Sequence, residues 1–381
     1  MQRNIFESEH NMFRDSFRKF LDQHVASQHE RWEQQKIVDR EVWIEAGKQG
    51  FLGISVPEEY GGGGVQDFRY NVIIAEELAR GGYSGVAFPL HNDIVAPYLL
   101  DLTTNEQKQR WLPGFCSGEI ITAIAMSEPG CGSDLQGIKT RATLDGDHWI
   151  LNGAKTFITS GINSDLVLVV AQTDPGQGAK SFSILAVERG MPGFERGRHL
   201  DKIGMLAQDT AELNFIDVRI PAENLIGERG QGFYYLMRNL PQERMSIAVT
   251  AAASMEACLA TTTEYVRDRS AFGKPIGALQ NTRFTLADLA TETMAVRILV
   301  DRFIAELDGG TLTAEEAAMA KLYATEAQVR LIDRCLQLHG GYGYMREYKI
   351  ARAYLDARIQ TIYGGTSEIM REIIGRSMSL S

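Results

Sequence analysis

The feature that most constrains this chain is a change of hydrophobic period that happens twice. Up to about residue 120 the apolar residues recur at helical spacing. They then alternate, or run in short apolar blocks, to residue 231, and from Gly232 to the end the helical spacing returns. Phe13, Phe17, Phe20 and Leu21 fall at i, i+4, i+7 and i+8, one helix face, with Ser8 as the expected N-cap. Val72, Ile73, Ala75, Glu76, Leu78 and Ala79 predict a second helix, stopped at Gly81-Gly82. Gly61 to Gly64 read as a flexible connector. In the middle segment, residues 148–151 and 155–159 flank Asn152-Gly153, which predicts a hairpin turning at that pair. Residues 165–170, 181–186 and 211–220 read as strands, and 173–180 as a turn. The Ala-rich stretches 247–260 and 314–327 favour helix. One β block between two helical blocks is neither a dinucleotide-binding sheet nor a barrel-enzyme pattern. The expected units are 1–119, 120–231 and 232–381, reasonable for 381 residues at roughly 150 per domain.

Charge and cysteine usage narrow the function. The net charge is −10 with no block of like charge, which argues against nucleic-acid or anionic-membrane binding. Cys116, Cys131, Cys258 and Cys335 are far apart, with no CxxC spacing, and read as reduced, buried thiols. The seven histidines show no metal spacing, so no metal site is expected. His339 reads as structural. The N-terminus has neither an apolar signal core nor an Arg/Ser-rich stretch, and no apolar run approaches a membrane span of about 20 residues. The expectation is a soluble, cytoplasmic protein of bacterial type, complete or nearly so.

Several segments carry chemistry, each with a plainer reading beside it. In Met126-Ser127-Glu128-Pro129-Gly130-Cys131-Gly132-Ser133-Asp134 the glycines let backbone N–H groups approach a ligand, and the serines add hydroxyls. That suits a flavin or a phosphate, although by itself such a segment is more often a turn. It is not GxGxxG, and no βαβ unit surrounds it. Glu243-Arg244 would ordinarily be a solvated pair. Pro241 either kinks a helix or opens one, and both fix the acid two residues later. Residues 267–274 read as the Arg- and Gly-bearing end of an amphipathic helix, and 337–343 and 363–369 are glycine loops between helices, neither with the lysine of a phosphate-binding loop of the Walker type.

Taken together, MSEPGCGSD, TFITSG, RDRSAFGKP, QLHGGYGY and YGGTSEI resemble the motifs of the acyl-CoA dehydrogenase family, in the family's order and over essentially the whole chain. The resemblance implies an α+β multidomain fold: an N-terminal helical domain, a central β-barrel-like domain and a C-terminal four-helix bundle. It implies FAD between the last two, an acyl-CoA substrate, an electron-transferring flavoprotein as acceptor, and a homotetramer. Met126, Ser127, Gly132 and Ser133 match the loop at the flavin or the substrate phosphates. Phe157 and Thr159 match residues lining the isoalloxazine, where the commoner residue at 157 is Trp. Arg269, Phe272, Gln280, Gln337 and Gly341 match residues reaching a partner subunit's FAD; Thr366 and Glu368 match contacts to the FAD diphosphate–ribose end. Tyr234, Arg244 and Gly365 match substrate-contacting positions, Lys180 is a further candidate for a CoA phosphate, and Gly364 is implied as a backbone donor to the thioester carbonyl. Many members carry the catalytic glutamate in the last loop, where this chain has Tyr363-Gly364-Gly365-Thr366. The long-chain and isovaleryl-type enzymes place it on the first bundle helix, and Glu243 matches that position; the surroundings are most similar to the long-chain type. The implied activity is α,β-dehydrogenation of long or medium acyl-CoA thioesters in fatty-acid β-oxidation, with small residues at Ser84, Gly85 and Ala87 leaving room for the tail. The rivals are an oxidase or monooxygenase of the same family and a silent CoA-binding subunit.

Overall fold

The computed structural model describes residues 3–378. Helices α1 (Ser8–His24), α2 (His29–Gln35), α3 (Glu41–Lys48) and α4 (Arg69–Gly81) open the chain. A π-helix (Leu90–Val95), α5 (Ala96–Asp101) and α6 (Asn105–Ser117) follow. Phe17, Phe20 and Leu21 of α1 are buried against Trp32, Trp43, Phe51 and Phe88, with Phe13 packed at the margin. The N-cap is Glu7 and not Ser8, because His10 reaches back and its Nδ1 accepts the Glu7 N–H at 3.1 Å. Helix α4 ends as expected, with Gly82 in the left-handed conformation at φ 74°. The Gly61–Gly64 stretch is not a loose connector. A Cβ on Gly62 would sit 2.2 Å from the Val56 carbonyl oxygen and one on Gly63 2.8 Å from that of Ile54, so the glycines allow a tight coil laid on residues 53–56.

Eight strands form one sheet, β1 (Thr122–Ala125), β2 (Arg141–Asp145), β3 (His148–Thr159), β4 (Leu166–Gln172), β5 (Phe182–Glu188), β6 (Phe194–His199), β7 (Thr210–Pro221) and β8 (Leu225–Ile226). The order is β6-β7-β3-β2-β4-β5-β8, and β1 pairs β4 in parallel. The Asn152-Gly153 pair is not a hairpin turn. It lies inside the continuous strand β3 at a bulge, where Gly153 lets Thr140 approach: a Cβ there would meet Thr140 Oγ1 at 2.5 Å. The turn is Gly146-Asp147, between the paired residues Asp145 and His148. An Asn-Gly pair serves both geometries, and only the position of the partner strand separates them.

The rest is helical: α7 (Gly232–Asp268), α8 (Gln280–Asp308), α9 (Ala314–His339), α10 (Lys349–Ala357) and α11 (Ser367–Ser377). Between α7 and α8 a two-strand ribbon, β9 (Ser270–Ala271) with β10 (Lys274–Pro275), turns at Phe272-Gly273. Contrary to the reading of the apolar runs, α7 is long and apolar enough to cross a membrane, with a window of mean hydropathy 1.2, but 61% of that window is buried in the protein. Met245, Ala248, Val249, Ala252 and Met255 pack with Leu289 and Val296 of α8 and Ala324 and Leu331 of α9. Helix α4 is tied to this bundle by Glu76, fully buried and paired with Arg3 at 2.6 Å, Arg14 at 3.0 Å and Arg297 at 2.9 Å. The four cysteines are free and buried.

Candidate active site

A continuous cavity of about 1200 Å³ lies between α4, α7, α10, the loop after β1 and the loop before α11. Glu243 borders it from α7. Pro241 sits in the interior of that helix, so the Met237 carbonyl loses its usual N–H partner two residues before the acid. The helix is bolted to the π-helix on both sides of Glu243. Gln242 donates to the Asp93 carbonyl at 2.7 Å and Ser246 to the Asp93 carboxylate, which also accepts from Asn71 at 2.9 Å. Burial pushes Asp93 up to about 7. By surface area Glu243 is only half-buried, because its carboxylate faces the cavity, yet the cavity is walled by protein. That desolvation pushes its pKa up to about 7, against the pull of Arg244 and Lys321.

Gly364 faces the same point. A Cβ there would lie 3.6 Å from Glu243 Oε1 and 2.4 Å from Ile247 Cδ1. Its φ is 63° and that of Gly365 is 98°, both left-handed. The two carbonyls are held from below: Lys321 Nζ donates to the Gly365 oxygen at 2.6 Å and Arg244 Nε to the Gly364 oxygen at 3.4 Å. Burial, then repulsion from Arg244, brings Lys321 down to about 8.

Met126, Ser127, Gly132, Ser133, Phe157 and Thr159 line another wall. The loop bearing the first four is anchored by Lys155, fully buried, whose Nζ donates to the Met126 carbonyl and to Glu128 Oε1, both at 2.9 Å. Glu128 accepts in turn from the N–H groups of Lys139 at 2.7 Å and Thr140 at 2.9 Å. Gly130 and Gly132 have open space where a Cβ would stand. Phe157 is 70% exposed at φ 59°, at a second irregularity of β3, so a bulky ring is held out in strained backbone. Thr159 accepts from Gln208 at 2.9 Å. Thr366 lines the cavity and caps α11 by accepting the Ile369 N–H at 3.3 Å, which brings the positive end of that helix to the wall. An open glycine-hydroxyl loop, an unstacked aromatic face and a helix N-terminus fit a flat ring system with a phosphate arm, as FAD has.

The other expected residues lie elsewhere. Arg269, Phe272, Gln280, Gln337 and Gly341 do not border the cavity. The loops of Arg269 and Gly341 do meet: the Arg269 guanidinium lies 5.7 Å over the Tyr342 ring, and Tyr265 donates to the His339 carbonyl at 3.2 Å. His339 is structural as expected, stacked on Tyr265 with its Nδ1 on the Cys335 carbonyl at 3.0 Å. Tyr234 and Lys180 are exposed and away from the cavity wall, and Glu368 is an exposed acid in the first turn of α11. Lys155, Glu128, Lys321 and Asp93 escaped the sequence reading. Nothing local marks Lys321 or Asp93, whereas a Glu inside a glycine loop is a signal that could have led to Glu128.

The comparisons agree along the whole chain. Residues 7–119, 123–218 and 230–379 match the N-terminal, middle and C-terminal domain models of the acyl-CoA dehydrogenases. The mitochondrial long-chain specific acyl-CoA dehydrogenase of Rattus norvegicus is 49% identical over 99% of this chain and 88% of its own. An acyl-CoA dehydrogenase from Geobacillus kaustophilus superposes with a TM-score of 0.98 at 49% identity, covering both chains completely. A glutaryl-CoA dehydrogenase from Mycobacterium smegmatis, in complex with FADH2, superposes at 0.91 with 27% identity over 99% of this chain and 96% of its own. On these matches the chain belongs to the acyl-CoA dehydrogenase family of oxidoreductases.

Proposed function

We propose that this chain dehydrogenates long-chain acyl-CoA thioesters to trans-2-enoyl-CoA, with Glu243 as the base that removes the α-proton, and passes the electrons to an electron-transferring flavoprotein. The observation that carries the reading is Glu243 itself. It is a carboxylate on the wall of the cavity, burial raises its pKa to about 7, and it is 3.6 Å from where a side chain at 364 would begin. A base poised near working pH is what abstraction of a weakly acidic thioester α-proton needs. FAD, when bound, supplies the hydride acceptor at N5. The chain supplies the rest. Met126, Ser127, Ser133, Phe157 and Thr159 offer the ring and phosphate contacts. The Gly364 N–H, without a hydrogen-bond partner among the described residues, donates to the thioester carbonyl and stabilises the enolate-like charge. Lys321 and Arg244 hold that N–H in place through the neighbouring carbonyls.

Cavity length supports a long tail. Glu243, Ile247, Thr250, Ser254, Cys258 and Thr261 of α7 all border it along one helix face, and the span from 243 to 261 is about 27 Å at 1.5 Å per residue. An extended chain advances about 1.25 Å per C–C bond, from a 1.52 Å bond at a 111° angle, so about 20 carbons fit. Tyr83, Ser84 and Ala87 border the same space.

The homotetramer is part of the reading. Arg269, the C-cap of α7, lies 26 residues beyond Glu243, about 39 Å away at 1.5 Å per residue, too far to serve the reacting end of its own cavity. Phe272 is 93% exposed at φ 53°, a ring held out at the tip of a turn. It suits insertion beside a second copy's cofactor. The reduced, buried cysteines suit a reducing compartment such as the cytoplasm.

The test is turnover of saturated acyl-CoAs of graded length with ferrocenium as acceptor, on the flavin-loaded protein. Activity should rise towards long chains. A clear preference for isovaleryl-CoA would overturn the chain-length reading, and oxygen consumption with peroxide formation would favour an oxidase.

A further inference from the structure

One polar group in the deep part of the cavity has no use in the chemistry above. Gln328 of α9 is 2% exposed, borders the cavity, and its amide oxygen has no hydrogen-bond partner. The Thr250 hydroxyl, on the α7 wall of the cavity, donates to the Ser246 carbonyl at 3.0 Å. Gln360, the other unpartnered amide on the wall, stands four residues before Gly364 and so belongs to the reacting end. Gln328 does not. It lies seven residues along α9 from Lys321, whose ammonium binds Gly365, hence about 10 Å deeper along the helix axis. At about 1.25 Å per C–C bond, that is eight or so carbons beyond the reacting pair.

A buried amide left unpaired is costly, and a plain hydrocarbon passing it would keep it unpaired. An amide can donate from one end and accept at the other, and a half-turn exchanges the two, so it matches a hydroxyl in either role. We infer that Gln328 recognises a mid-chain hydroxyl, and that the enzyme's preferred long-chain substrates include acyl-CoAs hydroxylated near C10. This inference rests on the long-chain reading, since only a long tail reaches Gln328.

The test compares stearoyl-CoA with 10-hydroxystearoyl-CoA on the flavin-loaded enzyme and on Gln328→Met, which keeps the length of the side chain. Binding is read by calorimetry and turnover by the ferrocenium assay. The wild-type enzyme should bind the hydroxylated thioester about tenfold tighter than stearoyl-CoA, the worth of one buried hydrogen bond. In Gln328→Met the order should invert, with stearoyl-CoA the better ligand. If the plain chain is preferred to the same degree by both proteins, a water satisfies Gln328 and the inference is wrong. If neither thioester is turned over, the proposed function fails, and the calorimetric ratio still decides the role of Gln328.

Discussion

Moving the base is the most demanding test of the site. Glu243→Gln keeps the shape and removes the proton acceptor. With the Glu243 pKa at about 7, the wild-type base is ionised at pH 8, so the loss is fully visible there. A positioned base is worth roughly 10²–10⁴-fold, and the upper end is expected for a carboxylate that burial desolvates at the cavity wall. Flavin spectrum and acyl-CoA binding should persist. The relocated base, Gly364→Glu in a Glu243→Gly background, starts only 3.6 Å from the lost Oε1 but meets two obstacles. The left-handed φ of 63° costs a non-glycine residue roughly 1–2 kcal/mol, and Ile247 Cδ1 would lie 2.4 Å from the new Cβ. The double variant should therefore recover little. Adding Ile247→Ala removes the clash and should restore at least about tenfold over Glu243→Gly, short of wild type because about 1 Å of misplacement can cost roughly 10²-fold. Near-normal turnover of Glu243→Gln would move the base elsewhere. A triple variant that folds and binds acyl-CoA yet never bleaches its flavin would refute the shared geometry.

Other consequences follow from the same contacts. Because Glu243 works deprotonated, kcat/KM should rise with pH through about 7 and then level; a flat profile from pH 5 to 9 would contradict the burial argument. The same shift has a sign for stability: a carboxyl with a raised folded pKa favours the fold below the unfolded value near 4.5, and that contribution is lost as pH climbs to about 7. Glu243→Gln should accordingly raise the melting temperature at pH 8 and leave it unchanged at pH 4. Lys155→Met strands Glu128 in the loop and should cost roughly 3–5 kcal/mol in denaturant unfolding and weaken FAD retention, whereas Lys155→Met with Glu128→Gln should recover much of the stability. Arg269→Ala should release FAD and loosen the proposed tetramer, as read by absorbance and light scattering, without changing the helical content. Ser254→Leu should block the tunnel beyond Ile247 and shift the preferred chain to shorter lengths, and an unchanged profile would place the tail elsewhere.

What the sequence made legible follows from the range of the interactions involved. The helix–sheet–helix order rests on periodicities that repeat every two to four residues, and a reader of the chain sees those directly. The misread features were each decided by something distant in sequence. Gly153 is a bulge because Thr140 presses on it, and Gly62 is rigid because Val56 lies 2.2 Å from where its Cβ would be. The site divides in the same way. Glu243 stood out only against a family pattern, because the Tyr363–Thr366 loop lacks its carboxylate, and nothing near residue 243 announces a base. What suits it to the proposed role is the assembly around it. Pro241 and Asp93 fix the helix, Lys321 reaches across from α9 to Gly365, and burial in the surrounding protein raises the pKa. Lys321 and Lys155 look like ordinary surface lysines in the sequence, yet both are fully buried. A buried lysine is costly unless its ammonium is satisfied. Here one holds the carbonyl beside the proposed oxyanion donor, and the other holds the loop at the flavin face. Two side chains that would be costly elsewhere thus both stand behind the surfaces that the proposed reaction uses.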